Sequence, residues 1–476
     1  MGTRLQLHPD RLFPADPSTR SIARQLYQSV ASLPILSPHG HVPIDWLVSD
    51  RPWVDPLELL ISPDHYITRL LHASGVALER LGVPPGQALS ADDARAGWRL
   101  FCEHWPVFRG TPMKYWMEQV LVEVFEIDQA PSRETADQLF DQIAQRLARP
   151  DRRPRALMDR FNIEFLATTD DPLDALQGHD QLASDPGFNH RVAPTFRPDR
   201  LLNVTDPGWP QTLVDLSAST GVDALHWNGW LAAVAARRWF FKEHGGVSTD
   251  HGLVDASTEP VDQATAQRLF NKARHGQIEQ GEATALAATM LFEQARMACD
   301  DGLTMTLHPG VLRDHHAASA ARLGKDIGAD IPTSVEFTRA LRPMLNAFGT
   351  HPNFQLVLFT IDESTYSREL APLAGFYPSV YLGAPWWFID APEAIGRFKR
   401  AVTESAGFSR LAGFVDDTRA FLSIPSRHDM ARRLDAAHLA QLVAEHRLTI
   451  DEASEVIGQL VSANPRKVFR ISASAS

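Results

Sequence analysis

The chain reads as an α/β protein, a distorted (β/α)8 barrel with a large helical insertion between its first and second strands. Three observations lead there. Eight short apolar or β-branched runs alternate with longer helical patterns, nearly every run ends in an ionisable group, and the first run ends in two histidines one residue apart.

The runs are 33–36, 163–168, 192–196, 246–249, 303–307, 354–360, 379–382 and 412–415. Helical patterns fill the spaces between them, clearest at 227–244, 282–300, 334–346 and 392–404. The first link is the anomaly. It takes up residues 43–160, far more than the few residues a βα connection needs, and holds helix-like stretches at 55–71, 91–102 and 113–125. This predicts an inserted subdomain on the C-terminal face of the barrel. The expected organisation is therefore an N-terminal segment with the first strand (1–42), the insertion (43–160), the rest of the barrel (161–428) and C-terminal helices (429–476). The tail divides near Arg447-Leu448-Thr449, where Thr449 is placed to cap a second helix.

Composition narrows the function. The 476 residues carry a formal charge of −12, which argues against nucleic acid or an anionic membrane surface as partner. There is no bilayer-length apolar stretch and no leader-like N-terminus, so a soluble cytoplasmic protein is expected. Cys102 and Cys299 are far apart and form no Cys-x-x-Cys pair, so they read as small packed groups in a reducing compartment. The insertion and the extra C-terminal helices make a homo-oligomer plausible.

Catalytic groups in such a barrel gather where each strand meets its following loop. Those positions hold His39 and His41; Thr169-Asp170-Asp171; Arg197 and Asp199; Asp250 and His251; His308; Asp362 and Glu363; Trp386 and Trp387; and Asp417 with Arg419. Two imidazoles spaced by two point the same way off an extended strand. With one carboxylate, from Asp416 or Asp417, they make the first shell of a zinc-like ion that keeps positions open for substrate. All six lysines (Lys114, Lys242, Lys272, Lys325, Lys399, Lys467) fall in helical stretches or the tail, so no modified lysine bridges two metals and a single ion is expected. Asp250-His251-Gly252 and His308-Pro309-Gly310 are candidate orienting or acid/base groups. Arg419, two residues beyond Asp417, offers a planar fork for a carboxylate or an enediolate. Ser62-Pro63-Asp64-His65-Tyr66 opens a helix with an imidazole and a phenol side by side.

Together these landmarks resemble the uronate isomerase family of the amidohydrolase superfamily, which acts on glucuronate and galacturonate. The matching pieces run almost end to end: His39-Gly-His41-Val-Pro, Asp64-His65-Tyr66, the 101–127 stretch with Trp105 and Trp116, Thr168-Thr-Asp-Asp-Pro172, Asp250-His-Gly252, His308 with Arg313, Trp386-Trp387-Phe388, Asp417-Thr-Arg419-Ala-Phe-Leu-Ser423, Arg427-His428 and Asn464-Pro-Arg466. The chain departs from the family pattern at Thr306 and Pro309. The resemblance implies a distorted barrel with one divalent ion, often zinc, on His39, His41 and Asp417. It gives Arg419 a substrate-binding role and puts His65 and Tyr66 in the substrate pocket.

The implied reaction is aldose–ketose isomerisation, of D-glucuronate to D-fructuronate or D-galacturonate to D-tagaturonate, by proton transfer from C2 to C1. It needs no nicotinamide or flavin, and no convincing dinucleotide loop is present. It does need a base near C2, an electrophile for the C1 and C2 oxygens, and shielding from water. Tyr66, His65, His251 and His308 are the candidate bases, with Arg419 placed to lower a phenol's pKa and Asp417 to shuttle the hydroxyl proton. Arg197, Arg313 and Arg419 are candidates for the substrate carboxylate, and Trp386 and Trp387 for the pocket wall. The rival reading is a metal-dependent hydrolase or decarboxylase of the same superfamily, in which Asp417 would deprotonate a metal-bound water.

Overall fold

The computed structural model describes residues 4–53, 55–86 and 89–472. Parallel strands β1 (Ile35–Ser37), β2 (Ile163–Ala167) and β3 (Arg191–Ala193) form one sheet in chain order. A second parallel sheet holds β4 (Ser248–Leu253) and β5 (Thr304–Pro309), followed by β8 (Leu356–Leu358) and β9 (Val380–Leu382). Between β5 and β8, a short antiparallel ladder pairs β6 (Val311–Leu312) with β7 (Ile331–Pro332). Single bridges carry the array onward: Phe196 pairs with Thr249 across the two sheets, and Leu382 with Leu411 at the far edge. Spatial order thus follows chain order, as right-handed βα crossovers dictate. Where the first and last segments meet, the His41 N–H donates to the Thr418 carbonyl at 3.0 Å.

Seven of the eight predicted runs overlap strands, and the exception has a steric cause. The 412–415 run forms no ladder among the described residues. Gly413 sits at φ 88°, and a Cβ there would lie 2.9 Å from the Pro465 ring and 3.0 Å from the Leu460 carbonyl. A left-handed glycine pressed against the C-terminal helices cannot continue an extended strand. The predicted helix at 334–346 shortens to Arg342–Phe348 because Pro343 can stand only in a first turn. The preceding turn is held by Glu369, whose carboxylate accepts from the Phe337 and Thr338 amides. The 55–71 stretch breaks at Pro63 into Pro56–Leu60 and His65–Ala73. Lys325 is not helical either: the helix Ala317–Leu323 ends at Gly324 (φ 91°), leaving Lys325 in a loop.

The residues between β1 and β2 do not close a core of their own. Trp98, Phe101, Trp116 and Phe125 pack in one cluster with Ile35 and Ile163 of the strands and with Phe421 and Met430. Burying side chains of this size contributes roughly 1.5–3 kcal/mol each before entropy, which ties these helices to the first two strands. Within the barrel, Leu36, Phe165, Ala193, Val357 and Tyr381 fill the interior, and Val468 and Phe469 join the same cluster. After the long helix Ile424–Ala444, Thr449 and Glu452 form a reciprocal capping box that starts Ile450–Gly458. No helix among the described residues is long and apolar enough to cross a membrane.

Candidate active site

The strand ends converge on a cavity of about 550 Å³. β1 leaves its ladder through Pro38, and His39 and His41 then turn toward the same point. The Asp417 Oδ1 lies 3.4 Å from His39 Nε2 and 3.0 Å from His41 Nε2. Asp416 points the other way and accepts from His428 Nε2 at 3.0 Å, so geometry separates the two acids that spacing left open. Asp417 sits at φ 39°, a left-handed conformation that costs energy and aims its carboxylate at the imidazoles.

These three groups fit a divalent cation. Ligands 2.0–2.1 Å from a tetrahedral ion stand about 3.3 Å apart, close to the separations found. Burial pushes His41 down, toward the neutral ligand form. His39 is buried too, yet Asp250 and Asp417 outweigh that and raise it, while Asp417 is held well below the usual carboxylate range by His39 and His41 despite its burial. A pocket that draws a proton onto His39 in this way favours positive charge. A second triad, His39 with Asp250 and His308, also has its ligand atoms within 4.8 Å of one another. Its acid is already engaged, however: Asp250 Oδ1 pairs with His308 Nδ1 at 2.7 Å and Oδ2 faces Arg197 Nη1 at 3.4 Å.

That engagement prepares His308. Asp250 is kept ionised by His39, Arg197 and His308 against the cost of burial. With Nδ1–H donated to Asp250, the lone pair of His308 falls on Nε2, which is buried and finds no partner among the described residues. The ring is clamped by Phe359, stacked at 4.1 Å, and by the edge of Trp386 at 4.8 Å. Arg197 is fixed by Asp199 at 2.8 Å. Gly252 permits this, since a Cβ would lie 2.9 Å from both partners. His251 does not join the cavity. Neighbouring residues on β4 face opposite sides, so with Asp250 pointing in, His251 points out and contacts the Thr306 carbonyl at 3.0 Å. Burial pushes its pKa down to about 4.

The opposite wall comes from the insertion and from the loop between β6 and β7. Asp64 caps the helix His65–Ala73 by accepting from the Tyr66 amide at 2.8 Å, which turns His65 and Tyr66 toward the cavity. Arg419 Nη1 approaches His65 Nε2 at 3.3 Å and pairs with Asp326. Burial and the nearby Arg419 push His65 to about 4, leaving it neutral. Arg313 reaches over Trp387 at 5.6 Å and pairs with Asp330 at 2.8 Å. Tyr66 departs from expectation. Its cationic neighbour is Arg427, 4.9 Å from the ring, rather than Arg419, and burial raises the phenol well above its ordinary value, so it is a proton donor at neutral pH.

Of the residues singled out in the sequence, His39, His41, His65, Tyr66, Arg197, Asp250, His308, Arg313, Trp386, Trp387, Asp417 and Arg419 all border this cavity, and His251 does not. Asp64, Asn203, Lys325, Asp326 and Arg427 also border it, although nothing in the sequence assigned any of them a role in the site. Lys325 and Asp326 lie in a segment bracketed by Gly324 and Gly328, a loop signal that carries no chemistry. Arg427 had no local signal beyond its place in the Arg427-His428 pair.

The chain is similar to known proteins over nearly its whole length. The family model described as glucuronate isomerase matches residues 18–469. The uronate isomerase of Cutibacterium acnes is 51% identical over 465 residues, covering 98% of each chain, and that of Corynebacterium efficiens is 49% identical over 472 residues, covering 99% of this chain and all of the relative. The crystal structure of glucuronate isomerase from Caulobacter crescentus superposes with a TM-score of 0.97 at 44% identity, over 100% of this chain and 99% of that one.

Proposed function

From the premise that this chain belongs to the glucuronate isomerase family, we propose that it interconverts D-glucuronate with D-fructuronate, D-galacturonate with D-tagaturonate, or both, by proton transfer from C2 to C1. It is an enzyme, an isomerase of uronates. The observation that carries the mechanism is the His308–Asp250 pair, which leaves one imidazole lone pair free at the cavity wall beside the His39, His41 and Asp417 triad.

When bound, a divalent ion held by that triad, zinc in our reading, supplies positive charge for the substrate oxygens at C1 and C2. The side chains account for the proton movements. His308 Nε2 takes the C2 proton, the C1–C2 double bond forms, and the carbonyl electron pair moves to O1. Asp417 passes the O2 hydroxyl proton to O1. His308 returns its proton to C1 as the carbonyl forms at C2. Arg419 and the neutral Tyr66 phenol face the oxygens that carry negative charge in the enediolate, where fixed donors in a water-poor cavity act most strongly. Arg197 and Arg313 complete a cationic lining suited to the substrate carboxylate. The buried free thiols Cys102 and Cys299 suit the reducing cytoplasm in which we place the enzyme.

Purified, metal-assayed protein incubated with each uronate in deuterated water and followed by proton NMR tests this reading. The expected result is the 2-ketose sugar acid with partial deuterium at C1, lost in Arg419→Met. Conversion of neither acid by protein carrying one ion per chain would return the question to the hydrolase reading.

A further inference from the structure

Arg427 is buried completely, yet it borders the cavity. It stands in the first turn of the helix Ile424–Ala444, where the helix dipole favours anions and a cation is misplaced. Asp390 Oδ2 accepts from its Nη1 at 2.9 Å and Ser423 Oγ from its Nε at 3.0 Å. The flat face of the guanidinium lies 3.7 Å from the centre of the Trp116 ring and 4.9 Å from that of Tyr66. Tyr66 meets the edge of Trp116 at 5.3 Å and 89°, so the phenol is boxed between a cation and an indole. A guanidinium kept for stability alone would sit among saturated partners. Here Asp390 Oδ1 and Asp64 Oδ2 are buried without hydrogen-bond partners among the described residues, and Asp64 borders the cavity, so the acids around the guanidinium are not saturated.

We propose that Arg427 is a positioning residue for the isomerisation, which holds the Tyr66 phenol at the cavity wall and keeps a fixed positive charge behind it. This rests on the isomerase reading above. The geometry of Arg427, two nitrogens donating to two different residues while the group lies over two rings, is specific to a guanidinium, since a lysine keeps the charge but loses the planar contact.

The test is a double-mutant cycle on metal-loaded enzyme with D-glucuronate, using Arg427→Met, Arg427→Lys, Tyr66→Phe and the combination of Arg427→Met with Tyr66→Phe. Arg427→Met is expected to lower kcat about 100-fold, as displacement of an oriented group does, with KM within about threefold of wild type. Arg427→Lys recovers part of the loss. Arg427→Met adds nothing further to Tyr66→Phe, because both remove the same oriented donor. Because Arg427→Met strands a buried acid and threatens folding, Arg427→Met with Asp390→Asn removes both charges and is read in the same way. Losses that add independently to Tyr66→Phe, or a raised KM with kcat intact, would overturn the proposal while leaving the isomerase reading standing. Failure of the wild-type enzyme to convert either uronate overturns both.

Discussion

The two long walls of the cavity are made differently. One is built from strand ends: His39, Asp250 and His308 are each less than 5% exposed and contact one another. The other is built from the insertion and a loop, which Arg419 meets from beyond the last strand position: its ion pair with Asp326 has side chains 33% and 46% exposed, and Arg313 is 38% exposed. Buried, mutually bonded groups keep their geometry without a ligand, whereas half-exposed pairs exchange readily with water or with an arriving carboxylate. On the proposed reading the proton acceptor His308 stands on the rigid wall, while the adaptable one supplies exchangeable cations that an arriving substrate can engage.

The largest effect expected from breaking that contrast comes from Asp417→Asn. Removing the triad's only charged ligand should cost about 10³-fold in kcat/KM and lower the metal content found by elemental analysis. Full metal occupancy with near-normal turnover would detach the triad from the chemistry. Next is His308→Asn, for which kcat should fall about 100-fold while bound metal is retained and deuterium exchange at C2 slows in parallel. If exchange persists at the wild-type rate, the base lies on the other wall.

A smaller effect concerns pH and stability. Asp170, buried beside β3, accepts from Thr168 Oγ1 at 2.7 Å and from the Thr195 amide at 3.2 Å, yet burial pushes it up to about 7. Its folded pKa thus exceeds its unfolded value near 3.8, so the folded state holds the proton more tightly. The stability this gives is complete below about pH 4 and is lost as pH rises through 7. Asp170→Asn should therefore flatten the fall in Tm over that window, measured by calorimetry. An unchanged slope would assign the fall to other groups. The smallest effect belongs to the loop wall, where Asp326→Asn should change KM by no more than about threefold, in keeping with the 0.2–1 kcal/mol of exposed ion pairs. A tenfold change would mean that the loop wall is held as firmly as the strand-end wall.

Much of the site was legible because it follows rules of short range. The His39-Gly40-His41 spacing puts two imidazoles on one side, and the strand-end rule picks out Asp250, His308, Asp417 and Arg419 without knowledge of their neighbours. His251 misled because the same alternation, applied one residue on, turns it away. The 412–415 run failed as a strand because its apolar pattern says nothing about Gly413 being pressed by Pro465, a contact between segments some fifty residues apart. Arg427 was invisible as a functional residue for a similar reason. Its meaning lies in Tyr66, Trp116 and Asp390, which come from three distant stretches.

By itself the sequence determined the alternation of strands and helices, the long helical stretch between the first two strands and the ligand-type residues at strand ends, since each depends on periodicity within a few residues. Only the tertiary structure decided that Asp417 rather than Asp416 faces the imidazoles, which nitrogen of His308 is free, and which arginine stands behind Tyr66. Those choices depend on directions and distances between chain segments far apart in sequence, and packing alone fixes them.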